Sequence, residues 1–399
     1  MVSRPTDGDL LRLVPTAMAA GGAAVGREPT GRVVLVDGAL PGETVDVVLT
    51  EERTSYARAR VCAVLDPSPD RVAPPCPHVA RGCGGCGWQH VSLEAQRRYK
   101  ARVVSEALER TGGVEGAMVL PAQPAGLAGY RTTLRLTSDG ARPGFRRHRS
   151  HEVVPVDSCL VAHPLLAELL SVGDFGEATN VTLRCGARTG ERLAILGPSS
   201  AGASLPGSVR VIGEDELAAG RRAWIFEEVA GKRLRLSAES FFQASPEGAE
   251  VLVRLVGSAI AGSPEGPLVD AYGGVGLLAA TVAASRPVTL LECSAPAAAD
   301  ARVNLPAASV RRTDVARWRA SKAAVVVADP PRAGLGAAGV AALVASRPSH
   351  LALVSCDPAS LGRDASLLRA RGFRLEWAAL VDLFPGTPHI EVVSRFVRC

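Results

Sequence analysis

Several features that would restrict the class of this 399-residue protein are missing from its sequence. No stretch approaches the roughly 18 to 20 uncharged apolar residues that a membrane-spanning helix needs. The N-terminus, MVSRPTDGDLLRL, lacks the basic stretch followed by a long apolar segment that is typical of a signal peptide. We therefore expect a cytoplasmic protein with no membrane partner.

Aromatic residues are scarce, at 4%, and no large excess of charge of one sign is present. The formal net charge of +5, from 45 Lys and Arg against 40 Asp and Glu, permits a nucleic-acid partner without requiring one. Nine cysteines are present. In a reducing compartment they are better interpreted as thiols, metal ligands or nucleophiles than as disulfides.

The order of short β-rich and helix-like segments predicts an α/β protein of three domains. Short runs with Gly or Pro between them, over residues 8–64, favour a small antiparallel β-barrel. From residue 237, apolar strands alternate with Ala-rich helical segments, which predicts a doubly wound parallel sheet covered on both faces. We expect a barrel over 1–66, a central α+β domain over 67–235, a catalytic domain over 236–399, and a monomer.

A glycine-rich loop, LVDAYGGVGLLAA, lies between a predicted strand and a helix. Gly274 and Gly276 would let the backbone approach a ligand closely, and Glu292 ends the next strand, where it could accept ribose hydroxyls. Because Ala279 completes a GxGxxA pattern, a nicotinamide dehydrogenase is a first alternative. Asp329 in ADPPRAGL would face the same crevice, although an Asp at this place is also typical of a helix N-cap.

Two groups of cysteines carry further information. Cys76, Cys83 and Cys86 in CPHVARGCGGCGWQH, with Cys159, suit an iron–sulfur cluster or a structural zinc, and their spacing does not separate the two. Cys356 ends the apolar run SHLALVSC and is followed by Asp-Pro. Taken alone it is more typical of a buried packing residue, but the exit of such a strand is also where open sheets place their chemistry.

Five segments in order resemble one enzyme family, the S-adenosylmethionine-dependent RNA 5-methyluridine methyltransferases. The N-terminal barrel is similar to the TRAM domain of that family. The segments are FFQAS at 241–245, DAYGGVG at 270–276, ADPPRAGL at 328–335, SCDPASLGRD at 355–364 and DLFPGTPHIE at 382–391.

The resemblance implies a role for each matching residue. Cys356 would be the nucleophile that adds to C6 of uracil, and Glu391 would be the general base that removes the C5 proton, with His389 as a second possible base. S-adenosylmethionine would be bound by residues from several motifs. These are Gln243, Tyr272, Gly274, Gly276, Glu292 and Asp329.

The same resemblance favours a 4Fe–4S cluster over zinc at Cys76, Cys83, Cys86 and Cys159. A thiolate nucleophile also implies a lowered pKa for Cys356, which the N-terminus of the following helix and Arg363 would support. The sequence departs from the family at Gly273, where Cys is frequent, and at Ser245, where Asn is common.

Structured RNA, either tRNA or rRNA, is the expected partner. The barrel and the basic stretches 96–102 and 144–149 are candidate contacts to phosphate. The target uridine would be flipped out of its stack, with Phe384 and Phe242 as candidate stacking faces. Two further functions remain open, an RNA cytosine-C5 methyltransferase and a noncatalytic RNA-binding protein on a methyltransferase scaffold.

Overall fold

The computed structural model describes residues 10–126, 128–138 and 142–399. Over those ranges, no helix is both long and apolar enough to cross a bilayer. The described residues form a six-stranded N-terminal sheet, a six-stranded central sheet, a two-stranded hairpin and an eight-stranded C-terminal sheet.

The N-terminal sheet has the strand order β1-β5-β6-β4-β3-β2. Its strands are β1 Leu10–Leu13, β2 Ala17–Met18, β3 Ala24–Arg27, β4 Val33–Asp37, β5 Thr44–Glu52 and β6 Tyr56–Asp66. Alternate residues of these strands are buried in one core, which Trp88, Val91 and Ala95 complete from outside the sheet. The pairing is antiparallel except between β4 and β6. Strand β6 pairs with β5 along one edge and with β4 along the other.

The middle of the chain supplies the central sheet and the hairpin. Its elements are α1 Pro77–Ala80, α2 Leu93–Arg110, β7 Val119–Pro124, β8 Thr133–Thr137, β9 Gly144–Arg146, β10 Val153–Pro155, α3 Pro164–Val172, β11 Asn180–Cys185, β12 Arg192–Gly197, β13 Val209–Gly213, α4 Glu214–Ala218, β14 Trp224–Val229 and β15 Lys232–Ser237. The central sheet has the order β10-β9-β8-β11-β12-β13, and β14 pairs with β15.

The C-terminal segment forms the α/β sheet that the sequence predicts. Its elements are α5 Pro246–Ile260, β16 Leu268–Ala271, α6 Leu277–Val282, β17 Val288–Glu292, α7 Ala295–Asn304, β18 Ser309–Arg312, β19 Val325–Ala328, α8 Gly336–Ala345, β20 His350–Ser355, α9 Pro358–Arg369, β21 Phe373–Asp382 and β22 Glu391–Arg398. The order is β18-β17-β16-β19-β20-β22-β21-β7. Every residue of β16, β19 and β20 is buried, as expected for strands covered on both faces.

Part of the segment expected to form the central domain packs on this C-terminal sheet. Strand β7 pairs with β21 in parallel at the sheet edge, and α2 packs against α9 and β21. Val103, Val104 and Leu108 of α2 belong to the same apolar core as β19 and β20. The proline content of VLPAQP hid this strand from the sequence, since proline is confined to sheet edges.

Candidate active site

The order of the C-terminal strands reverses between β16 and β19. From β16 the chain proceeds outward through β17 and β18, and then returns to β19 on the opposite side of β16. In open sheets of this kind, ligands bind in the crevice beyond the carboxyl ends of the strands at the reversal. Both the glycine-rich loop and Asp329 leave the sheet at this crevice.

The glycine-rich loop turns sharply with its backbone exposed to the crevice. Tyr272, Gly274 and Gly276 all have positive φ, of 59°, 54° and 92°. A Cβ atom at Gly274 would meet nothing within 4 Å, so the space beside its backbone is open to a ligand. The Gly274 N–H donates to Glu292 Oε2 at 2.9 Å, and the Ser294 N–H donates to Glu292 Oε1 at 2.6 Å. Glu292 is therefore held beside the loop, as the sequence predicts.

Asp270 is a site residue that the sequence analysis did not single out. It is fully buried at the end of β16, and its Oδ2 accepts the Ala279 N–H at 3.0 Å. Its Oδ1 has no hydrogen-bond partner among the residues described. Burial, with the nearby charges of Asp329 and Glu292, raises the pKa of Asp270 to about 7. Its place within the DAYGGVG motif was the signal available in the sequence.

Asp329 and Gln243 meet at the same crevice from separate segments. The Asp329 N–H donates to the Ala271 carbonyl at 3.2 Å, which ties the end of β19 to that of β16. Gln243 Nε2 lies 3.5 Å from Asp329 Oδ2. Burial raises the pKa of Asp329 to about 7. Two residues from distant motifs are thus brought together beside the glycine-rich loop.

Cys356 and Glu391 lie at the same end of one strand pair. Strands β20 and β22 are antiparallel, and their ladder ends where Ser355 pairs with Val392. Cys356 is the first residue after β20, Glu391 is the first residue of β22, and the charge of Glu391 acts on the Cys356 thiol. Glu391 is buried, and that burial together with the charge of Asp329 holds the pKa of its carboxyl well above the usual range.

The expectation of a lowered pKa for Cys356 is wrong for this structure. Burial and the neighbouring charges of Glu391 and Asp329 raise the pKa of Cys356 to about 11. The positive charge of Arg332 lowers this pKa, but it offsets only part of the rise. The N-terminus of α9 is capped by Asp357, the residue before the helix, whose Oδ1 accepts the Ser360 N–H at 2.8 Å. Arg363 points elsewhere, donating to the Ala333 carbonyl.

The loop before Glu391 carries His389 and Phe384. Their rings make an edge contact with centroids 5.7 Å apart. Burial and the positive charges of Arg332, Arg131 and Lys100 lower the pKa of His389 to about 4, so its imidazole is neutral at pH 7. The guanidinium of Arg131 lies over the Phe384 ring, 5.5 Å from its centroid.

Helix α2 fixes this loop through buried polar contacts. Lys100 is fully buried, and its Nζ donates to Asp382 Oδ1 at 2.8 Å and to the Phe384 carbonyl at 3.3 Å. Gln96 Oε1 accepts the Gly386 N–H at 2.7 Å. The basic stretch 96–102 therefore acts partly inside the protein, which the sequence alone did not indicate.

The predicted metal-binding cysteines line a single cavity of about 340 Å³. Burial raises the pKa of Cys83, Cys86 and Cys159. Over the described ranges, no three His, Cys, Asp or Glu side chains are arranged to hold a metal ion. Cys76, Cys83, Cys86 and Cys159 thus share one space without converging on one point.

Hydrogen-bond donors surround these sulfur atoms. The backbone N–H of Gly85 donates to Cys83, and those of Val161 and Ala162 donate to Cys159. The sulfur atoms of Cys86 and Cys76 have side-chain neighbours instead. Gln89 donates to Cys86, and His78 Nδ1 lies 3.8 Å from Cys76 Sγ.

The basic stretch 144–149 is largely occupied by carboxylates of the protein itself. Arg147 Nε lies 2.8 Å from Glu152, and Arg149 Nη1 lies 3.2 Å from Asp37 of the N-terminal sheet. These two cations therefore contribute to packing between segments, and are less available to phosphate than the sequence suggests.

Comparisons with known proteins agree with this arrangement. A TRAM domain model matches residues 17–62, and a tRNA (Uracil-5-)-methyltransferase model matches residues 309–396. An uncharacterized RNA methyltransferase of Streptomyces avermitilis is 35% identical over 94% of this chain and 95% of that protein. This chain belongs to the same RNA methyltransferase family. Another member, from Gloeobacter violaceus, is 33% identical over the whole of both chains.

A solved structure shares the fold of this methyltransferase. It is the Pyrococcus abyssi tRNA (uracil-54, C5)-methyltransferase in complex with S-adenosyl-L-homocysteine. It matches with a TM-score of 0.74 and 22% identity, over 97% of this chain and 100% of that one. The expected methyltransferase sheet and N-terminal TRAM domain are confirmed, and the nicotinamide dehydrogenase alternative is excluded by the family.

Proposed function

We propose that this methyltransferase transfers a methyl group from S-adenosylmethionine to C5 of a uridine in structured RNA. The observation that carries the proposal is that Cys356, directly after β20, and Glu391, at the start of β22, lie at the same end of this strand pair, close enough for the charge of Glu391 to act on the thiol. A nucleophile and a base held at the ends of adjacent rigid strands can act on neighbouring atoms of one pyrimidine ring.

The crevice at the strand reversal fits S-adenosylmethionine, which supplies an electrophilic methyl group when bound. Gly274 would allow the ligand to approach the backbone, Gly276 would supply the positive φ that the turn requires, and Glu292 would accept the ribose hydroxyls of the ligand. The matched structure from Pyrococcus abyssi is described with S-adenosyl-L-homocysteine, which supports a ligand of this kind. The remaining residues that we assign to this ligand are Gln243, Tyr272 and Asp329.

Cys356 would act as the nucleophile. Its sulfur adds to C6 of uracil, and the electron pair of the C5–C6 bond moves towards the ring carbonyl, which makes C5 nucleophilic. The thiol proton must leave first. Arg332 is the cation that favours the Cys356 thiolate in this site, and the structure, unlike the sequence, identifies it.

Glu391 would act as the general base. After C5 has gained the methyl group, a carboxylate removes the C5 proton, the C5–C6 double bond reforms, and the Cys356 sulfur leaves C6. Glu391 must be ionised to act, and its raised pKa then makes its carboxylate a stronger base for this proton. Asp329 would contribute indirectly, because its negative charge helps to raise the pKa of Glu391.

The target uridine would be flipped out of the RNA, since a stacked base cannot reach two side chains inside a crevice. Phe384 and Phe242 remain our candidates for stacking against it. Both line the same cavity as the four cysteines, and Phe384 also lies in the loop before Glu391.

The cysteine cavity fits a 4Fe–4S cluster. Four thiols line one space, each with a nearby donor, and donors to sulfur are a usual feature of iron–sulfur sites. We propose that Cys76, Cys83, Cys86 and Cys159 hold this cluster.

Trapping with 5-fluorouridine tests the uridine chemistry. With fluorine at C5, Glu391 has no proton to remove, so the Cys356 adduct should persist. Total tRNA and rRNA containing 5-fluorouridine should give a covalent RNA–protein band that Cys356→Ala abolishes and Cys399→Ala, at an exposed site, preserves. Absence of a band in the presence of S-adenosylmethionine would refute the covalent mechanism. Loss of 5-methylcytidine instead of 5-methyluridine from RNA of a deletion strain would favour the cytosine alternative.

A further inference from the structure

The mouth of the cysteine cavity carries an aromatic side chain that nothing in the fold uses. Phe241 is 67% exposed, the largest exposure among the large hydrophobic side chains found at the described surface. Its neighbours in the chain are held firmly. Ser240 Oγ donates to buried Asp300 at 2.7 Å, and the Ser240 carbonyl accepts from Arg184 at 2.7 Å. Phe241 is thus presented to solvent from a fixed backbone.

One wall of the cavity that Phe241 also lines is cationic. Arg131, Thr133 and Arg135 are alternate residues along β8 and its preceding bridge, and all three line the cavity. On the paired strand β11, Thr182 lies opposite Arg135, and Arg184 lies opposite Thr133. The described residues that line this cavity include no Asp or Glu. The wall is therefore complementary to an anion.

These arginines divide into two kinds. Arg131 lies near the cysteines, where its positive charge lowers the pKa of Cys86 and of Cys159. Arg184 is buried and donates to three backbone carbonyls. Arg135, by contrast, is exposed at the cavity wall. An exposed guanidinium beside an exposed ring provides the two contacts that unpaired nucleic acid requires, one for a phosphate and one for the face of a base.

We propose that Phe241 and Arg135 bind an unpaired nucleotide of the substrate RNA next to the methylated uridine, with its base stacked on Phe241 and its phosphate at Arg135. The inference rests on the proposed function, because Gln243, two residues beyond Phe241, lies at the methyl-transfer crevice. Because the backbone around Phe241 is fixed, little conformational entropy of the protein is lost when a base stacks on its ring. We call the surface formed by Phe241 and Arg135 the RNA platform.

Binding of single-stranded RNA tests this platform. The probe is a fluorescein-labelled 12-nucleotide oligouridylate, and a second version carries one 2-aminopurine. Phe241→Ala should weaken binding by roughly 5- to 150-fold, the range that follows from losing one base–aromatic stack. It should also abolish the quenching of 2-aminopurine fluorescence. Phe241→Trp should retain both, and Val172→Ala, at a residue 62% exposed on α3, should change neither.

The phosphate contact of Arg135 is tested by the dependence of RNA affinity on salt concentration. Arg135→Gln should reduce the slope of log affinity against log salt by about 0.7, the contribution of one phosphate contact to a single strand. Failure of the wild-type protein to bind the oligonucleotide, or unchanged binding and quenching in Phe241→Ala, would overturn the proposal. Adduct formation at Cys356 with 5-fluorouridine RNA is scored separately. An adduct with an inert Phe241 refutes only the platform, whereas binding through Phe241 without an adduct refutes only the methylation chemistry.

Discussion

At the scale of single residues, the protonation of Cys356 is the central feature of the site. The thiol is flanked by Glu391 and Asp329, and both carboxylates oppose its ionisation. The sequence placed a thiol and a carboxylate in the site, but it could not show that their charges would act on each other. With a pKa of about 11, Cys356 is a thiol at neutral pH.

Alkylation of Cys356 by iodoacetamide should report this state. Below a pKa of about 11, the thiolate fraction rises about tenfold per pH unit, so its alkylation rate should rise in that proportion between pH 7 and pH 9. Glu391→Gln should accelerate the reaction at any pH at which Glu391 is ionised, because it removes a negative charge from beside the sulfur. Peptide mass spectrometry measures each cysteine, with exposed Cys399 as internal reference. A rate that is already maximal at pH 7 would contradict the raised pKa.

At the scale of elements, the loop before β22 depends on α2. Lys100 and Asp382 form a buried ion pair, and Gln96 holds the Gly386 N–H. Burial lowers the pKa of Lys100, although the charge of Asp382 opposes this effect. A buried pair of this kind fixes geometry more than it adds stability, since removing one partner leaves the other charge uncompensated.

Lys100→Met should therefore destabilise the protein and disturb the site together. We expect a loss of about 3 kcal/mol in the free energy of unfolding, because Arg97 remains 3.1 Å from Asp382 and limits the cost. The yield of the 5-fluorouridine adduct should fall as well. Arg102→Met on the exposed face of the same helix is the matched control, and it should change stability by less than about 0.5 kcal/mol. Equal denaturation midpoints for the two variants would refute the role of Lys100.

The glycine-rich loop has its own pH-dependent element in Asp270. Its carboxyl has a pKa of about 7 in the folded protein and near 3.8 when unfolded. Between these values the unfolded state binds fewer protons, so this group makes the folded state less stable as pH rises from about 4 to 7.

Asp270→Asn removes that dependence while keeping an acceptor for the Ala279 N–H. Its melting temperature relative to wild type should increase across this pH window, by a few degrees in total, and then stay constant above pH 7. Thermal denaturation followed by circular dichroism measures the difference. Asp215→Asn, on a largely exposed helix start, should show no such trend. A constant difference from pH 4 to pH 8 would show that Asp270 is not buried as a neutral acid.

At the scale of the whole molecule, three segments meet around Trp88. Its indole Nε1 donates to the Gly22 carbonyl of the N-terminal sheet at 2.9 Å, and its backbone N–H donates to the Gly386 carbonyl of the catalytic loop at 2.8 Å. Trp88 follows Cys86 by two residues. The segment that carries Cys76, Cys83 and Cys86 thus lies where the N-terminal sheet and the C-terminal sheet meet. A cluster bound there would stabilise the packing of all three segments.

Anaerobically purified protein should accordingly contain iron and be brown. We expect about four iron atoms per chain by elemental analysis. Cys86→Ala should lose the iron and lower the melting temperature by several degrees, because binding energy at a structural site is folding energy. Cys62→Ala, at an exposed cysteine of β6, should retain the iron and the wild-type stability. Colourless protein with one zinc per chain would refute the cluster.

The sequence by itself determined the elements whose signals are local. The apolar strands β16, β19 and β20, the turn chemistry at Gly274 and Gly276, and the cysteine spacing each depend on residues close together in the chain. Tertiary structure alone decided what depends on distant segments. The edge strand β7, the burial of Lys100, and the charges that raise the pKa of Cys356 all arise when segments far apart in sequence pack together. Periodicity records which face of an element is buried, but it carries no information on which charged group will be buried beside it.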